Sequence, residues 1–155
     1  MNSKKIIRKA KKGRPIRQVA AVPFRLTSDG EVQVMLITSR STQRFVVPKG
    51  WAMKGKSRCE AAGIEAFEEA GVLGRVIENP VGSYRYWKRL SKRFVPVDVT
   101  VYLLSVEGEL ADWDEADARQ RAWLAPPVAA TLIDEPGLAS LVGSLAAPDS
   151  VGGFR

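Results

Sequence analysis

The sequence predicts a single α+β domain in which helices cover a mixed β-sheet. Its apolar patterns follow the order strands, one helix, more strands and C-terminal helices, which differs from the regular alternation of a doubly wound fold. The 155 residues suffice for one substantial core, and the 45% apolar and 26% charged residues are ordinary for a globular domain. Neither an internal repeat nor a second-domain boundary is visible.

The N-terminal half begins with a predicted β-hairpin. A mostly apolar run over 18–26 is separated by a turn signal at 28–30 from alternating apolar residues over 32–38. A shorter apolar run follows at 45–47, and the Pro-Lys-Gly sequence at 48–50 is expected to end it. These patterns predict three strands before the first helix.

A helix is predicted between Ser57 and Gly71. Ser57 followed three residues later by Glu60 is a capping-box pattern, in which each side chain can satisfy a free amide of the first turn. Gly71 suits the left-handed conformation that often ends a helix. The sequence therefore marks both ends of this helix.

The second half of the chain predicts another hairpin and then helices. Residues 82–90 and the alternating valines over 95–101 flank a turn signal at 91–92. The later predicted elements are a polar loop over 112–119, a short strand over 122–124, a helix from Pro126 through Ile133 and a helix from Pro136 to about Ala146.

The net charge of +7 is concentrated at the N-terminus. Residues 1–17 contain eight Lys and Arg residues and no acid, so the remainder carries −1. Such a tail could be a transit peptide, a nucleic-acid arm able to bind RNA, or a disordered extension, and blocks of like charge favour disorder. We therefore predict a basic, disordered tail over 1–17, the domain over 18–147 and a frayed C-terminus over 148–155.

The absence of histidine limits the chemistry of this chain. It excludes Ser-His-Asp and Cys-His catalysis and removes the imidazole ligands of zinc sites, leaving carboxylates, Lys, Tyr or a metal-bound water for acid–base work.

The lone cysteine, Cys59, cannot form an intrachain disulfide, which is consistent with a reducing cytoplasm. No apolar run approaches the ~20 residues that cross a bilayer, so no membrane partner is expected.

Three carboxylates, Glu65, Glu68 and Glu69, lie within the predicted helix. Spacings of three and four residues place them on one helical face, and the segment 59–71 contains no basic residue. Three adjacent negative charges repel one another, so a hard divalent cation is one explanation for the cluster. A solvent-facing acidic stripe is the alternative on spacing alone.

The stretch from Gly50 to Val72 resembles the Nudix box, G-x5-E-x7-R-E-U-x-E-E-x-G-U, where U is apolar. The matching positions are Gly50, Glu65, Ala66, Glu68, Glu69, Gly71 and Val72. Lys56 stands where the first Glu is expected and Ile64 where Arg is expected. The family is expected to pair those two residues as ions, so replacing both avoids leaving one charge unpaired.

This resemblance implies a Nudix-type α/β/α sandwich with a mixed sheet over about 18–145, and a hydrolase that cleaves phosphoanhydrides with Mg²⁺ or Mn²⁺. Glu68 and Glu69 would bind the metal, and Glu65 would bind metal or act as the base. The backbone carbonyl of Gly50, or of Lys49, would complete the site. The loss of the first Glu leaves the number of ions open.

Segments outside the box resemble the diphosphoinositol polyphosphate and diadenosine polyphosphate hydrolase branch. They are Val47-Pro48-Lys49-Gly50-Trp51, Arg121-Ala122-Trp123-Leu124 with the following prolines, and Glu135-Pro136. This implies an anionic polyphosphate substrate. Nucleoside triphosphates and the 5′ end of RNA, a nucleotide-binding Nudix protein without turnover, and a basic nucleic-acid-binding module are the rivals, and the oligomeric state stays open.

Cationic and aromatic residues near the box are the candidates for substrate binding. Arginine can hold phosphate bidentately and lysine acts as a point charge, although exposed strands and turns are often basic. Asp114, Glu115 or Asp117 could assist catalysis, but we expect a solvated acidic loop. The predicted phosphate ligands are Arg40, Arg44, Lys49, Lys54 and Arg89, and Trp51 and Tyr86 are candidates for stacking or for packing.

Overall fold

An eight-stranded mixed β-sheet forms the centre of the computed structural model, which describes residues 5, 8, 9, 12, 16–147 and 151. The central strands are parallel, and the flanking strands pair antiparallel. The strands are β1 (Ile16–Leu26), β2 (Val32–Thr38), β3 (Phe45–Val46), β4 (Lys49–Trp51), β5 (Val72–Val76), β6 (Gly82–Leu90), β7 (Arg93–Glu109) and β8 (Arg121–Leu124).

The strand order is β3-β2-β1-β7-β5, with the parallel β1–β7 pair inside it. In addition, β4 pairs with β1, β6 with β7 and β8 with β2, all antiparallel. One part of β1, Gln18–Ala20, faces β4, whereas Phe24–Leu26 faces β2. A single strand therefore links the short β4 segment to the middle of the sheet.

The helices are α1 (Arg58–Ala70), α2 (Pro126–Leu132) and α3 (Pro136–Gly143), followed by a 3₁₀ turn over Ser144–Ala146. Helix α1 begins and ends as predicted. Ser57 Oγ accepts a hydrogen bond from the Glu60 amide at 3.2 Å, and Gly71 has φ 65° with its amide donating to the Phe67 carbonyl. A Cβ at Gly71 would also lie 2.7 Å from the Trp113 ring.

The helices cover both faces of the sheet, which confirms the predicted α/β/α sandwich. Alternate residues of β1 point to opposite faces, so the strand is buried on both sides and reads as a nearly continuous apolar run. On one face the alanines of α1 pack on Val19, Ala21, Met35, Ile37, Tyr102 and Leu104. On the other, Leu138, Val142 and Leu145 pack on Ala20, Val22, Phe24, Val34, Leu36 and Leu103.

Two strands differ from the sequence-based expectation. The third strand, β3, ends before Pro48 as predicted, but Lys49–Trp51 form an additional strand, β4, which pairs with β1 and was not predicted. The edge strand β5 was not predicted, because Leu73, Gly74 and Arg75 are exposed and give no alternation. Its ladder also shifts register between Leu73 and Gly74.

Most of the predictions for the two chain termini cannot be compared with the structure. Strand β1 begins at Ile16, two residues before the predicted boundary. The predicted disorder of 1–17 and fraying of 148–155 fall mostly outside the described residues, although Val151 is buried against the core. Among the helices of the described part, none is long and apolar enough to cross a bilayer.

Candidate active site

Two of the three predicted carboxylates converge beneath β4. Glu65 and Glu69 are one helical turn apart on α1 and are hydrogen-bonded to each other. The alanines Ala61, Ala62 and Ala66 are fully buried, so α1 lies close to the sheet and brings these acids to the backbone of β4. A Cβ at Gly50 would collide with the Glu65 carboxylate, which explains the glycine there.

The environment of this pair favours protonation. Burial raises the pKa of Glu65 to about 8, with the hydrogen bond to Glu69 and the charges of Glu69, Glu68 and Glu115 acting in the same direction. Burial also raises the pKa of Glu69, although the hydrogen bond from Glu65 and the charge of Arg119 oppose the shift. Without a metal ion, both shifts favour a proton held between the two carboxyl groups, with Glu65 as the donor and Glu69 as the acceptor.

Glu68 does not join this hydrogen-bonded pair. Its side chain is partly exposed, and its backbone carbonyl accepts a hydrogen bond from the Glu115 amide at 3.3 Å. It remains near enough for its charge to raise the pKa of Glu65. The predicted role of Glu68 as a direct metal ligand stays a prediction.

Arg119 is the cation that touches the acidic pair, and the sequence did not single it out. Its Nη2 lies 3.6 Å from Glu69 Oε1, its Nε donates to Glu115 at 2.9 Å, and its Nη1 donates to the Thr38 carbonyl at 3.1 Å. Only 11% of its side chain is exposed. The spacing of Glu115 and Arg119, four residues apart, was the one available signal, because such pairs meet when the chain turns.

The loop over 112–119 is fastened to the C-terminal end of α1. Trp113 Nε1 donates to the Glu69 carbonyl at 2.9 Å. Arg121 stacks on the Trp113 ring at 4.0 Å and donates to the carbonyls of Ala70 and Leu110. A guanidinium at this position also complements the negative end of the helix dipole. The loop is thereby held beside the acidic pair.

The expectation of a solvated acidic loop is wrong for Glu115 and right for its neighbours. Asp114 and Asp117 are exposed, whereas Glu115 is paired with Arg119 and lies 3.9 Å from Arg40. The Glu115 side chain is 24% exposed. Hydrogen bonds from Trp113 and Glu115 to the end of α1 direct the Glu115 side chain inward. The residue type alone could not predict this orientation.

A groove of about 390 Å³ opens over the acidic pair and carries cations on its walls. Lys49 is largely buried there, and this burial lowers the pKa of its ammonium despite the opposing charge of Glu69. Its Nζ lies 5.4 Å from the centre of the Tyr86 ring. The charged and aromatic residues lining the groove are Arg40, Arg44, Lys49, Trp51, Glu65, Glu69, Tyr86, Lys88 and Arg119.

Three of the five predicted phosphate ligands line this groove. Arg40 is mostly exposed there, whereas Lys49 is largely buried. Arg44 is engaged by Glu135 at 2.6 Å, so its charge is partly neutralised within the fold. Lys54 and Arg89 are exposed and do not line this groove, and their predicted phosphate contacts stay predictions.

The two predicted aromatic candidates, Trp51 and Tyr86, both line the groove. Tyr86 donates its hydroxyl to Gln18 Oε1 at 2.6 Å, and the pKa of its phenol is raised to about 12, mainly by burial. Trp51 lies 6.0 Å from Lys88 Nζ. Both rings border the groove at partly buried positions, where a planar ligand could reach them.

The two departures from the Nudix box lie apart from the acidic pair. Lys56 is exposed in the turn before α1. Ile64 faces an apolar groove that it lines with Phe67, Leu73 and Leu104, between the helix and β5. Neither position leaves a buried charge without a partner, which agrees with the interpretation of a coupled replacement.

The donor chemistry of the acidic pair fits a hard divalent cation in part. Glu65 and Glu69 supply oxygen ligands only, which suits Mg²⁺ or Mn²⁺, and a bound cation would offset the burial that raises both pKa values. Among residues 16–147 and the few described outside them, no three acidic side chains are already arranged around one point. The predicted carbonyl ligand at Gly50 or Lys49 stays a prediction.

Comparison with solved structures identifies the fold class. The binary complex of Ap4A hydrolase from C. elegans superposes with a TM-score of 0.65 at 18% identity, covering 90% of this chain and 99% of that one. The NUDIX domain of Shewanella oneidensis NrtR in complex with ADP ribose gives 0.63 at 12% identity, covering 95% and 100%. These likenesses establish the Nudix fold.

Sequence comparison carries the assignment further. Nudix hydrolase 17, mitochondrial, of Arabidopsis thaliana is 38% identical, over 68% of this chain and 60% of that protein, and Nudix hydrolase 13, mitochondrial, is 34% identical, over 66% and 59%. No protein-family model matches the chain. The chain belongs to the Nudix hydrolase family. It spans about three fifths of the length of these curated relatives.

Proposed function

We propose that this protein is a divalent-metal-dependent pyrophosphohydrolase that cleaves a phosphoanhydride bond in a small polyphosphorylated molecule. The observation that carries the proposal is the Glu65–Glu69 pair, which faces a groove lined by Lys49, Arg40 and Lys88. Phosphoanhydride oxygens repel nucleophiles, so hydrolysis needs charge neutralisation from the site. The groove contains carboxylates, which would hold the ion, next to cations, which would hold phosphate.

In this proposal the protein groups divide the work of binding and proton transfer. A bound Mg²⁺ or Mn²⁺, held by Glu69 with Glu68 or Glu65, would supply charge neutralisation and activate a water molecule. Glu65, once ionised, can accept a proton from the attacking water. Arg119 orients Glu69 and Glu115 through the contacts described above. Lys49 and Arg40 would hold phosphate oxygens, since both line the groove.

Diadenosine polyphosphates and diphosphoinositol polyphosphates are the favoured substrates. The branch-like segments of the sequence support this choice, and so does the fold likeness to a protein named Ap4A hydrolase. The cations of the groove suit several phosphate groups, and the Trp51 and Tyr86 rings at its border suit a planar base. The two aromatic side chains favour the dinucleotide.

A substrate panel with purified full-length protein tests this function. Phosphate release is measured on diadenosine polyphosphates, diphosphoinositol polyphosphates, nucleoside triphosphates, and capped and triphosphorylated RNA, with Mg²⁺, with Mn²⁺ and with chelator. Metal-dependent hydrolysis of at least one compound is expected, with faster turnover for the favoured classes. Ligand binding without hydrolysis of any compound would instead identify a nucleotide-binding protein without turnover.

The cytoplasmic location predicted from the lone cysteine also stays a proposal. The Arabidopsis relatives are named mitochondrial, and a transit peptide was one alternative for the acid-free tail over 1–17. Imaging a C-terminal fluorescent fusion in the source cells separates the two locations.

A further inference from the structure

The outer face of the β6–β7 hairpin presents two large aromatic side chains to solvent. Trp87 and Phe94 are each 64% exposed, although both lie in well-paired strands. The cross-strand pairs are Trp87 with Pro96 and Arg89 with Phe94, so Trp87 and Phe94 are diagonal neighbours on one face, a relation in which the Cα atoms lie about 7–8 Å apart. An exposed pair of this size needs an explanation that the fold does not supply.

The opposite face of the same hairpin accounts for its stability. Tyr84, Leu90 and Val95 are buried there, and Gly137 of α3 approaches Tyr84 closely. Because strand residues alternate, burying this face forces residues 85, 87 and 89 outward. The outward face therefore contributes little to the core.

Cations surround the two rings. Residues 82–98 contain five basic residues and one acid. Arg85 and Arg89 project from the same face as Trp87, and Lys92 and Arg93 are exposed at the turn. The one acid, Asp98, is paired with Arg85 at 2.7 Å. We define the outer hairpin face as Arg85, Trp87, Arg89, Lys92, Arg93 and Phe94.

We propose that the outer hairpin face binds single-stranded nucleic acid. Exposed aromatic rings on a flat strand surface can stack on unpaired bases, while neighbouring arginines hold the phosphates. The net positive charge is complementary to a polyanion, and the apolar area is interrupted by arginines rather than continuous. This arrangement matches a polymer that alternates flat bases with charged phosphates.

The geometry disfavours a membrane as the occupant. An inserting hairpin would carry its apolar residues at the tip, but the turn here consists of Ser91 and Lys92 and is followed by Arg93. The aromatic rings lie back on the face of the strands, so burying them in lipid would immerse Arg89 as well. A nucleic-acid strand lying along the face meets both kinds of side chain at once.

This surface is separate from the proposed catalytic groove. Lys88 lines the groove beside Trp51, whereas Trp87 and Arg89 on either side of it point to the other face of β6. The inference therefore goes beyond the proposed hydrolysis and does not depend on it. A strand bound here would be held without entering the groove.

Fluorescence anisotropy with full-length protein tests the inference. The probe is a fluorescein-labelled 12-residue oligouridine in chelator, so that no hydrolysis interferes, titrated at several salt concentrations. The Trp87→Ala/Phe94→Ala double variant should bind about tenfold or more weakly because two stacking platforms are lost. Arg89→Gln should make the slope of log affinity against log salt less steep, by the amount expected for one lost phosphate contact.

Phe67→Ala is the matched control, since Phe67 is a 40% exposed aromatic residue on α1, away from the hairpin. It should leave oligouridine affinity unchanged, and circular dichroism checks that every variant is folded. Unchanged affinity in the folded double variant would assign binding to the N-terminal tail and overturn the proposal. Aromatic-dependent binding to phosphatidylserine vesicles without binding to oligouridine would overturn it as well.

Discussion

The acidic pair under β4 and the β6–β7 hairpin both contain carboxylates, and the two environments shift their pKa values in opposite directions. Burial raises the pKa of Glu65 to about 8. On the hairpin, the hydrogen bond from Arg85 lowers the pKa of the largely exposed Asp98. Desolvation thus dominates at the groove and pairing dominates at the surface. The comparison shows that burial and hydrogen-bond partners, not the number of nearby charges, determine the direction in which each carboxylate's pKa shifts.

The largest expected effect lies at the groove. Glu69→Gln should lower turnover of the best substrate by about 100-fold or more, because it removes a charged oxygen that contacts Arg119 and pairs with Glu65. Glu68→Gln is expected to have an effect of similar size if its side chain reaches the metal. Steady-state kinetics measure both, and Glu60→Gln, an exposed acid on the same helix, is the control. Wild-type turnover in the Glu69 variant would refute its assignment as a ligand.

Substitution of Arg119 tests whether the contacts of the 112–119 loop contribute to turnover in addition to the carboxylates. Arg119→Met should reduce kcat by about 10–100-fold because Glu69 and Glu115 lose the group that orients them. KM should change less, and Arg119→Lys should recover part of the loss. A change in KM alone would indicate that Arg119 binds substrate instead of positioning the acids.

Gly50→Ala changes the packing of the pair without changing any charge. The added methyl group displaces the Glu65 carboxylate, so activity should fall, while the free energy of unfolding should fall by at most about 1 kcal/mol because the displaced atoms are the flexible end of a side chain. Gly108→Ala is the matched control, since a Cβ there meets nothing within 4 Å. Steady-state kinetics of both variants measure the loss of activity and urea unfolding checks their stability, and wild-type activity in Gly50→Ala would contradict the close approach of Glu65 to Gly50.

The raised pKa of Glu65 predicts a pH-dependent stability of the metal-free protein. Its folded pKa lies above its ordinary value, so the stability it contributes is present below about pH 4.5 and is lost as pH rises to about 8. Glu65→Gln should therefore be more stable than wild type at pH 8.5 by about 1–2 kcal/mol, a value reduced because the carboxyl is only half buried. Urea unfolding in chelator at pH 5 and pH 8.5 measures this. A difference that does not grow with pH would be evidence against the shift.

The smallest expected effect lies on the hairpin. Asp98→Asn removes an exposed partner of Arg85, and exposed ion pairs contribute little to stability. The melting temperature should stay within experimental error of wild type at pH 7. A drop of several degrees would show that the exposed Arg85–Asp98 pair contributes to stability in spite of its exposure to solvent.

The features that the sequence predicted correctly are the local ones. The ends of α1 follow from Ser57 and Gly71, whose side-chain and backbone preferences act within one turn. The fold class followed from the order of strands and helices and from the resemblance of 50–72 to the Nudix box. Glu65 and Glu69 are brought together because a spacing of four residues fixes them on one helical face.

The features that escaped prediction depend on contacts between distant parts of the chain. Arg44 was assigned to substrate phosphate, but Glu135, 91 residues away in sequence, engages its guanidinium. Arg119 reaches Glu69 from a loop that is held in place by contacts of Trp113, Glu115 and Arg121 with the end of α1. Lys54 and Arg89 are close to the box or to Tyr86 in sequence, yet the fold turns both away from the groove. Proximity along the chain did not reveal which way these side chains point.

Strand β1 has a consequence for how the groove can respond to a ligand. Its residues 18–20 pair with β4. The pairing extends by one more hydrogen bond, in which the Ala21 amide donates to the Pro48 carbonyl at 3.0 Å. Because this strand also runs through the middle of the sheet, the floor of the groove cannot open without breaking the central ladder. Amide protons at 19–21 should therefore exchange with deuterium only through global unfolding, and ligands of different size must be accommodated by the side chains of the rim.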